Sequence, residues 1–207
     1  MTTFNGVYTA IVTSNVDPQN SGRVKVRIPA IAPASAEVWA RVATLTAGKN
    51  RGSWFMPDVN DEVLVAFEAG DARRPFVLGA LWSSTAPPPE TVDATNTRKT
   101  LRSRNGVKLT MNDQTGHDSF ILETPGGQKI TLRDGPSTIE ITDNNGNSVR
   151  LGMDGVTVKA AAKVIISTAQ LQINAASSKF SGTLQCDTLI SNSVVSANYS
   201  PGAGNIM

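Results

Sequence analysis

Few residues of this 207-residue chain have the types and spacing that catalysis or metal binding requires. The chain contains one histidine, His117, and one cysteine, Cys186. We therefore expect no Ser-His-Asp or Cys-His nucleophile set and no zinc site formed within one chain. A single cysteine also excludes an intrachain disulfide. Both residues have simpler explanations: His117 lies in a predicted turn, and Cys186 alternates in phase with Leu184 as a small inward-facing hydrophobic residue.

The adjacent acidic residues Asp61 and Glu62 are the nearest approach to a hydrolytic pair. Glycoside hydrolysis needs two carboxyl groups about 5 to 9.5 Å apart across a cleft. Because this pair directly precedes an alternating apolar run, it is more simply a turn before a strand. The sequence thus predicts no catalytic residues, no bound cofactor and no metal site. An ion on an oligomer axis, to which three copies of His117 could contribute, stays open.

Residues from about 105 to 193 form a series of short runs in which apolar and polar side chains alternate. Lys129–Arg133, Thr138–Thr142 and Ser148–Leu151 show the period of two that is typical of half-buried strands. The same alternation is found in Val156–Lys159, Val164–Ser167 and Leu171–Asn174. Turn-forming residues separate the early runs, and the spacing tightens from about ten residues to seven or eight after Leu151. This is a structural repeat.

One such run cannot bury its apolar face alone, because it carries only two or three aliphatic side chains. Stacked runs in one chain would form a ribbon with one apolar face and exposed edges, which is unstable by itself. We therefore predict that three copies wind their ribbons together with the apolar faces inward. About ten to twelve runs, stacked about 4.8 Å apart, would give a rod on the order of 50 Å long. The predicted trimer core consists of Ile130, Leu132, Ile139, Ile141, Val149, Leu151, Val156, Val158, Val164, Ile166, Leu171 and Ile173.

The first part of the chain predicts a separate unit. Five alternating runs between Val7 and Trp82, without helical periodicity, indicate a small closed β-barrel. Its core is expected to be built from Trp39, Trp54, Phe55, Phe67, Phe76 and Trp82. The predicted fold class is all-β: a barrel over residues 1–86, a Pro-rich and basic linker over 87–104, and an intertwined trimeric needle with a C-terminal tip over 105–207.

Charge and composition narrow the function further. The formal charge of +2 is too small to indicate a nucleic-acid or membrane partner by itself. Some small barrels bind single strands through aromatic and basic side chains, and Arg23, Lys25 and Arg27 share one strand face. Because the aromatic residues are assigned to the core, we predict no nucleic-acid partner. The N-terminus lacks a signal-peptide pattern, no apolar run is long enough to span a membrane and only one cysteine is present, so we expect folding in a reducing cytoplasm.

Five segments follow one another through the barrel region: Gly22–Arg27, Trp39–Ala43, Gly52–Pro57, Asp61–Phe67 and Gly70–Pro75. In this order they resemble the OB-fold module of phage baseplate assembly protein V, of gp5-type spikes and of VgrG spikes. Val77–Trp82, followed by the Pro run, completes the match. Arg102–Leu109 is similar to the start of the family's triple-stranded β-helix. The resemblance therefore extends over essentially the whole chain.

The resemblance implies a homotrimeric central spike of a contractile injection machine, which folds in the bacterial cytoplasm and has no catalysis of its own. Such a needle pierces the membrane below a baseplate hub protein, which is expected at the barrel end. It contacts the target cell envelope transiently and belongs to a virion tail baseplate or a released injection particle. A PAAR-type tip protein is a further partner implied for the C-terminal end. The residues expected to dock it are Tyr199, Pro201, Gly202, Asn205, Ile206 and Met207.

Three departures from the family pattern qualify these expectations. Only about twenty residues separate Trp82 from Asn105, too few for the muramidase that some gp5-type spikes carry. The chain begins at the barrel, so we expect the hub to be a separate protein. No His-x-His pair follows His117, so no iron site is expected at the tip. The alternative functions are a cell-wall-degrading, muramidase-type tail spike and a VgrG-like spike that carries an effector.

Overall fold

A computed structural model describes residues 3–31 and 36–198. Over these ranges the chain contains fourteen strands and one short 3-10 helix, Glu68–Gly70, so the predicted all-β class is confirmed. The strands are β1 (Val7–Ser14), β2 (Arg23–Arg27), β3 (Val38–Val42), β4 (Ala47–Gly48), β5 (Arg51–Gly52), β6 (Glu62–Phe67), β7 (Pro75–Leu81), β8 (Arg98–Arg102), β9 (Lys108–Asn112), β10 (Ser119–Glu123), β11 (Lys129–Arg133), β12 (Thr138–Thr142), β13 (Ser148–Gly152) and β14 (Gly155–Lys159).

The predicted barrel is present and closes in the order β1-β2-β3-β7-β6. Neighbouring strands are antiparallel except β3 and β7, which run parallel. Alternation decides which side chains face inward: on β2, Val24 and Val26 are buried, whereas Arg23, Lys25 and Arg27 lie on the outer face. A two-stranded ribbon, β4 and β5, extends from the segment between β3 and β6.

The barrel core differs from the predicted aromatic one. It consists mainly of aliphatic residues, among them Val12, Val63 and Val77, together with Phe67, against which the partly buried rings of Phe4 and Tyr8 pack. Trp54, Phe55 and Trp82 are each more than 70% exposed. A five-stranded barrel has a narrow interior that small branched side chains already fill. Of the six aromatic residues predicted for the core, Phe67 is buried there, and the prediction was wrong for the other five.

The loop between β1 and β2 is held by a buried ion pair. The Asp17 carboxylate accepts hydrogen bonds from Arg23 Nη2 at 2.7 Å and Arg23 Nε at 3.1 Å. It also accepts from the backbone N–H groups of Gln19 at 3.0 Å and Ser21 at 2.9 Å. The guanidinium of Arg23, followed by these N–H groups, holds the pKa of Asp17 well below its usual range. Asp17 is thus a charged anchor for the loop.

Asp17→Asn is expected to lower the melting temperature of the barrel by roughly 5–10 °C, because the amide cannot accept from all these donors. A depressed carboxyl pKa stabilises the folded barrel above the unfolded pKa of about 3.9 and loses that contribution as the pH falls below it. The melting temperature of the parent chain should therefore fall more steeply below about pH 4 than that of the variant. Tryptophan fluorescence reports on this unit, because all three tryptophans lie between Trp39 and Trp82.

Glu68→Gln is the matched control, since Glu68 pairs with Arg74 at 3.4 Å on the exposed surface of the same barrel. Exposed pairs contribute little to stability. Equal melting temperatures for Asp17→Asn and Glu68→Gln would contradict the anchoring role of Asp17.

The second β structure is a seven-stranded antiparallel sheet in the order β14-β13-β12-β11-β10-β9-β8. It is a meander whose turns contain Gly106, Gly127 and Gly146, each with a positive φ that favours glycine. β8 lies inside the segment predicted to be a linker, so the sheet begins earlier than expected. The polar and basic composition of Arg98–Arg102 concealed this strand, because only Leu101 on its apolar face is aliphatic.

Residues 163–207 separate from residues 1–162 as a second unit. In its described part, up to residue 198, no strand is formed within the chain. The predicted runs Val164–Ser167 and Leu171–Asn174 therefore do not continue the meander as intrachain strands. Residues 160–173 contain no Gly, Pro, Asn or Asp, so the chain has no hairpin signal with which to fold back on itself.

Candidate trimerisation surface

The seven-stranded sheet carries two apolar columns on one face. Strand register places the members of each column directly opposite one another on neighbouring strands. The first column contains Phe120, Leu132, Ile139, Leu151 and Val156. The second contains Leu122, Ile130, Ile141, Val149 and Val158. Eight of the twelve residues predicted for the trimer core thus lie on a single face.

This face is uncovered in the single chain. Seven of those eight side chains, all except Val149, are between 37% and 68% exposed. A contiguous exposed apolar surface of this kind marks an interaction site. Withdrawing each half-exposed Leu or Ile from water would stabilise an assembly by on the order of 1 kcal/mol. The face therefore has the chemistry of a protein–protein interface, and its role as the trimer core stays a prediction.

Sequence reasoning missed the part of this face that lies toward the barrel. β9 and β10 extend the columns with Leu109, Met111, Phe120 and Leu122, and Leu101 on β8 lies opposite Leu109. The signal was available, because Lys108–Asn112 and Ser119–Glu123 alternate in the same way as the later runs.

The opposite face of the sheet is predominantly polar. Its central column includes Thr131 on β11, Glu140 on β12 and Arg150 on β13. At its edge, Lys108 Nζ lies 2.8 Å from Glu123 Oε1, and this hydrogen bond lowers the pKa of Glu123. The polar face thus carries charged side chains that pair with one another and cover Thr110 and Thr131 at its centre, whereas the apolar face is largely exposed.

Two family models match the chain. The model described as the type VI secretion system/phage-baseplate injector OB domain matches residues 8–82, which contain the barrel. The model described as the phage baseplate V C-terminal trimerisation domain matches residues 119–185, which include β10–β14 and their apolar face. The chain belongs to the baseplate V and VgrG spike family. Its amphipathic sheet accordingly lies in the region that this family uses for trimerisation.

Relatives of this spike-family chain include three VgrG proteins. The type VI secretion system spike protein VgrG3 of Vibrio cholerae is 31% identical over 112 residues, which are 50% of this chain and 11% of that protein. VgrG1b of Pseudomonas aeruginosa is 28% identical over 106 residues, 47% of this chain and 14% of that protein. The actin cross-linking toxin VgrG1 of Vibrio cholerae is 29% identical over 110 residues, 49% of this chain and 10% of that protein. The matched segment is a small part of each relative.

The remaining predicted core residues lie in the second unit of the spike-family chain. Val164, Ile166, Leu171 and Ile173 are all at least 60% exposed, and none belongs to an intrachain strand. The six residues predicted to dock a tip protein, Tyr199, Pro201, Gly202, Asn205, Ile206 and Met207, fall outside the described residues.

The residues considered for chemistry are not brought together. His117 lies in a turn, with Nδ1 3.3 Å from the carbonyl oxygen of Gly135. Asp61 accepts from the backbone N–H of Asp58 at 2.8 Å, directly before β6 begins at Glu62, in the predicted turn. Cys186 is exposed. Across residues 3–31 and 36–198, no group of three or more His, Cys, Asp or Glu residues is arranged to hold a metal ion. Nor does any helix in these residues have the length and hydrophobicity to cross a membrane.

The outer face of the barrel corrects one sequence-based argument. Aromatic and basic residues do alternate there: Arg23 and Lys25 lie 5.4 and 5.5 Å from the centre of the Trp39 ring, and Arg41 lies 5.2 Å from that of Phe76. Trp39 and Phe76 are thus not confined to the core, so the assignment of the aromatic residues to the core is no reason to exclude nucleic acid. A different reason favours the same prediction: each ring is already covered by a cation of the same chain, and Arg23 and Lys25 are paired with Asp17 and Glu37.

Proposed function

We propose that this chain is the central spike of a contractile injection machine and acts as a homotrimeric, membrane-piercing needle without catalysis of its own. The observation that carries the proposal is the exposed apolar face of the sheet, which lies in the segment matched by the trimerisation domain. Three such faces can cover one another around a common axis and leave the polar faces in water. The barrels then form a collar for a baseplate hub.

The mechanism is mechanical stiffness. A sheet that is closed on its apolar side by two other chains cannot bend without exposing that side to water. When the machine contracts, the needle transmits the force to the target envelope without losing its shape. A separate hub protein at the barrels and a PAAR-type tip protein at the C-terminal end complete the proposed assembly.

Injection by the intact machine tests this function. Particles assembled with Ile139→Asp are expected to lose injection into target cells, because that side chain lies on the apolar face. Particles with Thr138→Asp, on the same strand but the opposite face, should inject normally. Normal injection by particles that contain the Ile139→Asp chain would overturn the proposal.

A cell-wall-degrading enzyme is the competing class of function, and it makes a simple prediction. The purified chain is expected to produce no clearing on a peptidoglycan zymogram, since the cleft beside Trp54 and Phe55 is lined by no Asp or Glu among the residues that the structure describes. Hen lysozyme on the same gel is the positive control. A cleared band that disappears in the Asp61→Asn/Glu62→Gln variant would establish catalysis and contradict the structural role.

A further inference from the structure

One end of the barrel carries an unusual concentration of exposed hydrophobic side chains. β1 ends there at Ser14, β2 begins at Arg23, β6 begins at Glu62 and β7 ends at Leu81. The loops at this end expose large apolar residues, which we call the sheet-side patch. Its members are Val16, Leu45, Trp54, Phe55, Val59 and Trp82. Their exposed fractions range from 45% for Val59 to 91% for Leu45.

The patch is built by well-defined contacts. Asn15 Nδ2 donates to the carbonyl oxygen of Pro57 at 3.3 Å, which joins the loop after β1 to the segment before β6. The ring of Trp54 lies over Gly22, where a Cβ atom would lie 3.5 Å from it. A cleft of about 640 Å³ lies beside Trp54 and Phe55, between Gly22 and the ribbon residue Arg51. The two large rings are thus held at the surface beside a concave site.

An ion pair joins this end of the barrel to the first turn of the seven-stranded sheet. Arg104 Nη1 lies 3.2 Å from Asp58 Oδ1, which joins this end of the barrel to the turn between β8 and β9. Leu101 and Leu109, on either side of that turn, begin the second apolar column, and Leu101 is 56% exposed. The apolar face of the sheet therefore begins beside the turn that this ion pair joins to the barrel.

We propose that the sheet-side patch is an interface between copies of this chain, which extends trimer contacts from the sheet into the barrels. The inference rests on the proposed homotrimer. Because three sheets meet at their apolar faces, the barrel end attached to the first strands of each sheet comes close to the neighbouring copies. A three-fold axis brings unlike parts of the patch together, so a ring on one copy can enter the cleft of the next.

Acrylamide quenching of Trp54 in the full-length protein tests this interface. The variant Trp39→Phe/Trp82→Phe leaves Trp54 as the single reporter. In the trimer its quenching constant should be lower than in the monomeric Ile139→Asp form by about threefold or more, because a neighbour covers the indole. Equal quenching in the two forms would overturn the proposal and would point to a hub protein or another molecule as the occupant.

Comparing these two forms requires that the Ile139→Asp monomer folds, and a second variant removes that requirement. When Phe55→Asp is added to the Trp39→Phe/Trp82→Phe protein, we expect the trimeric mass to be kept. The quenching constant of Trp54 should rise to that of a fully exposed indole. Leu78→Asp, on β7 away from the patch, should leave Trp54 shielded. Light scattering on the protein that retains Phe55 separates the two proposals: a single-chain mass refutes the homotrimer, whereas a trimeric mass with an accessible Trp54 refutes only this interface.

Discussion

Replacing Ile139 with aspartate is expected to abolish the trimer. Ile139 lies in the middle of the first apolar column, opposite Leu132 on one side and Leu151 on the other. In a three-fold assembly the change would place three carboxylates near one level of the axis without partners. An uncompensated buried charge costs roughly 3–5 kcal/mol. Size-exclusion chromatography with light scattering should therefore show the mass of one chain where the parent shows three.

The same substitution on the neighbouring residue is the control. Thr138 belongs to the same strand but to the polar face, where it lies opposite Arg133, so Thr138→Asp adds a charge that water and an arginine can accommodate. This variant should keep the trimeric mass. A normal trimer for Ile139→Asp, or equal effects of the two substitutions, would refute the inward orientation of the apolar columns.

Ending the chain after Ala162 is expected to remove resistance to SDS at room temperature. Residues 163–198 expose their apolar side chains and form no intrachain strand, so their backbone groups must pair with other copies or with water. If these strands pair between chains, the trimer can dissociate only when several chains unfold together. Dissociation is then slow. Residues 1–162 form a unit of their own, so the shortened chain should still fold.

Gel electrophoresis without heating, followed as a function of time in SDS, measures this effect. The shortened chain should dissociate faster than the parent by at least about a hundredfold, because the slow step is removed. A chain that ends after Asn198 is the control and should behave like the parent. If the chain that ends after Ala162 were as resistant as the parent, the sheet alone would supply the kinetic stability and residues 163–198 would have another role.

Much of the fold could be predicted from alternation and turn residues. The barrel strands and the strands from Lys129 onward were predicted because strict period-two patterns end at Gly, Asn and Asp turns. The same patterns placed Ile130, Leu132, Ile139 and Ile141 on one face, where the structure has them. A local pattern determines which face a residue occupies, so this information was in the sequence.

The parts that were not predicted depend on long-range packing. A large ring such as Trp54 is equally compatible with a core and with an interface, and only the width of the barrel interior decides between them. β8 is polar along most of its length, and it is a strand because it pairs with its neighbour β9. Residues 163–198 alternate like strands in part, yet they form no strand within the chain, and no local pattern reveals that difference.

The solution mass of the purified protein, measured with and without SDS at room temperature, tests the central claim most directly. We expect a mass of about three chains, roughly three times 21.8 kDa, that persists in SDS until the sample is heated. A single-chain mass in the absence of detergent would mean that the apolar face of the sheet is covered by something other than two further copies, and it would contradict the trimeric needle.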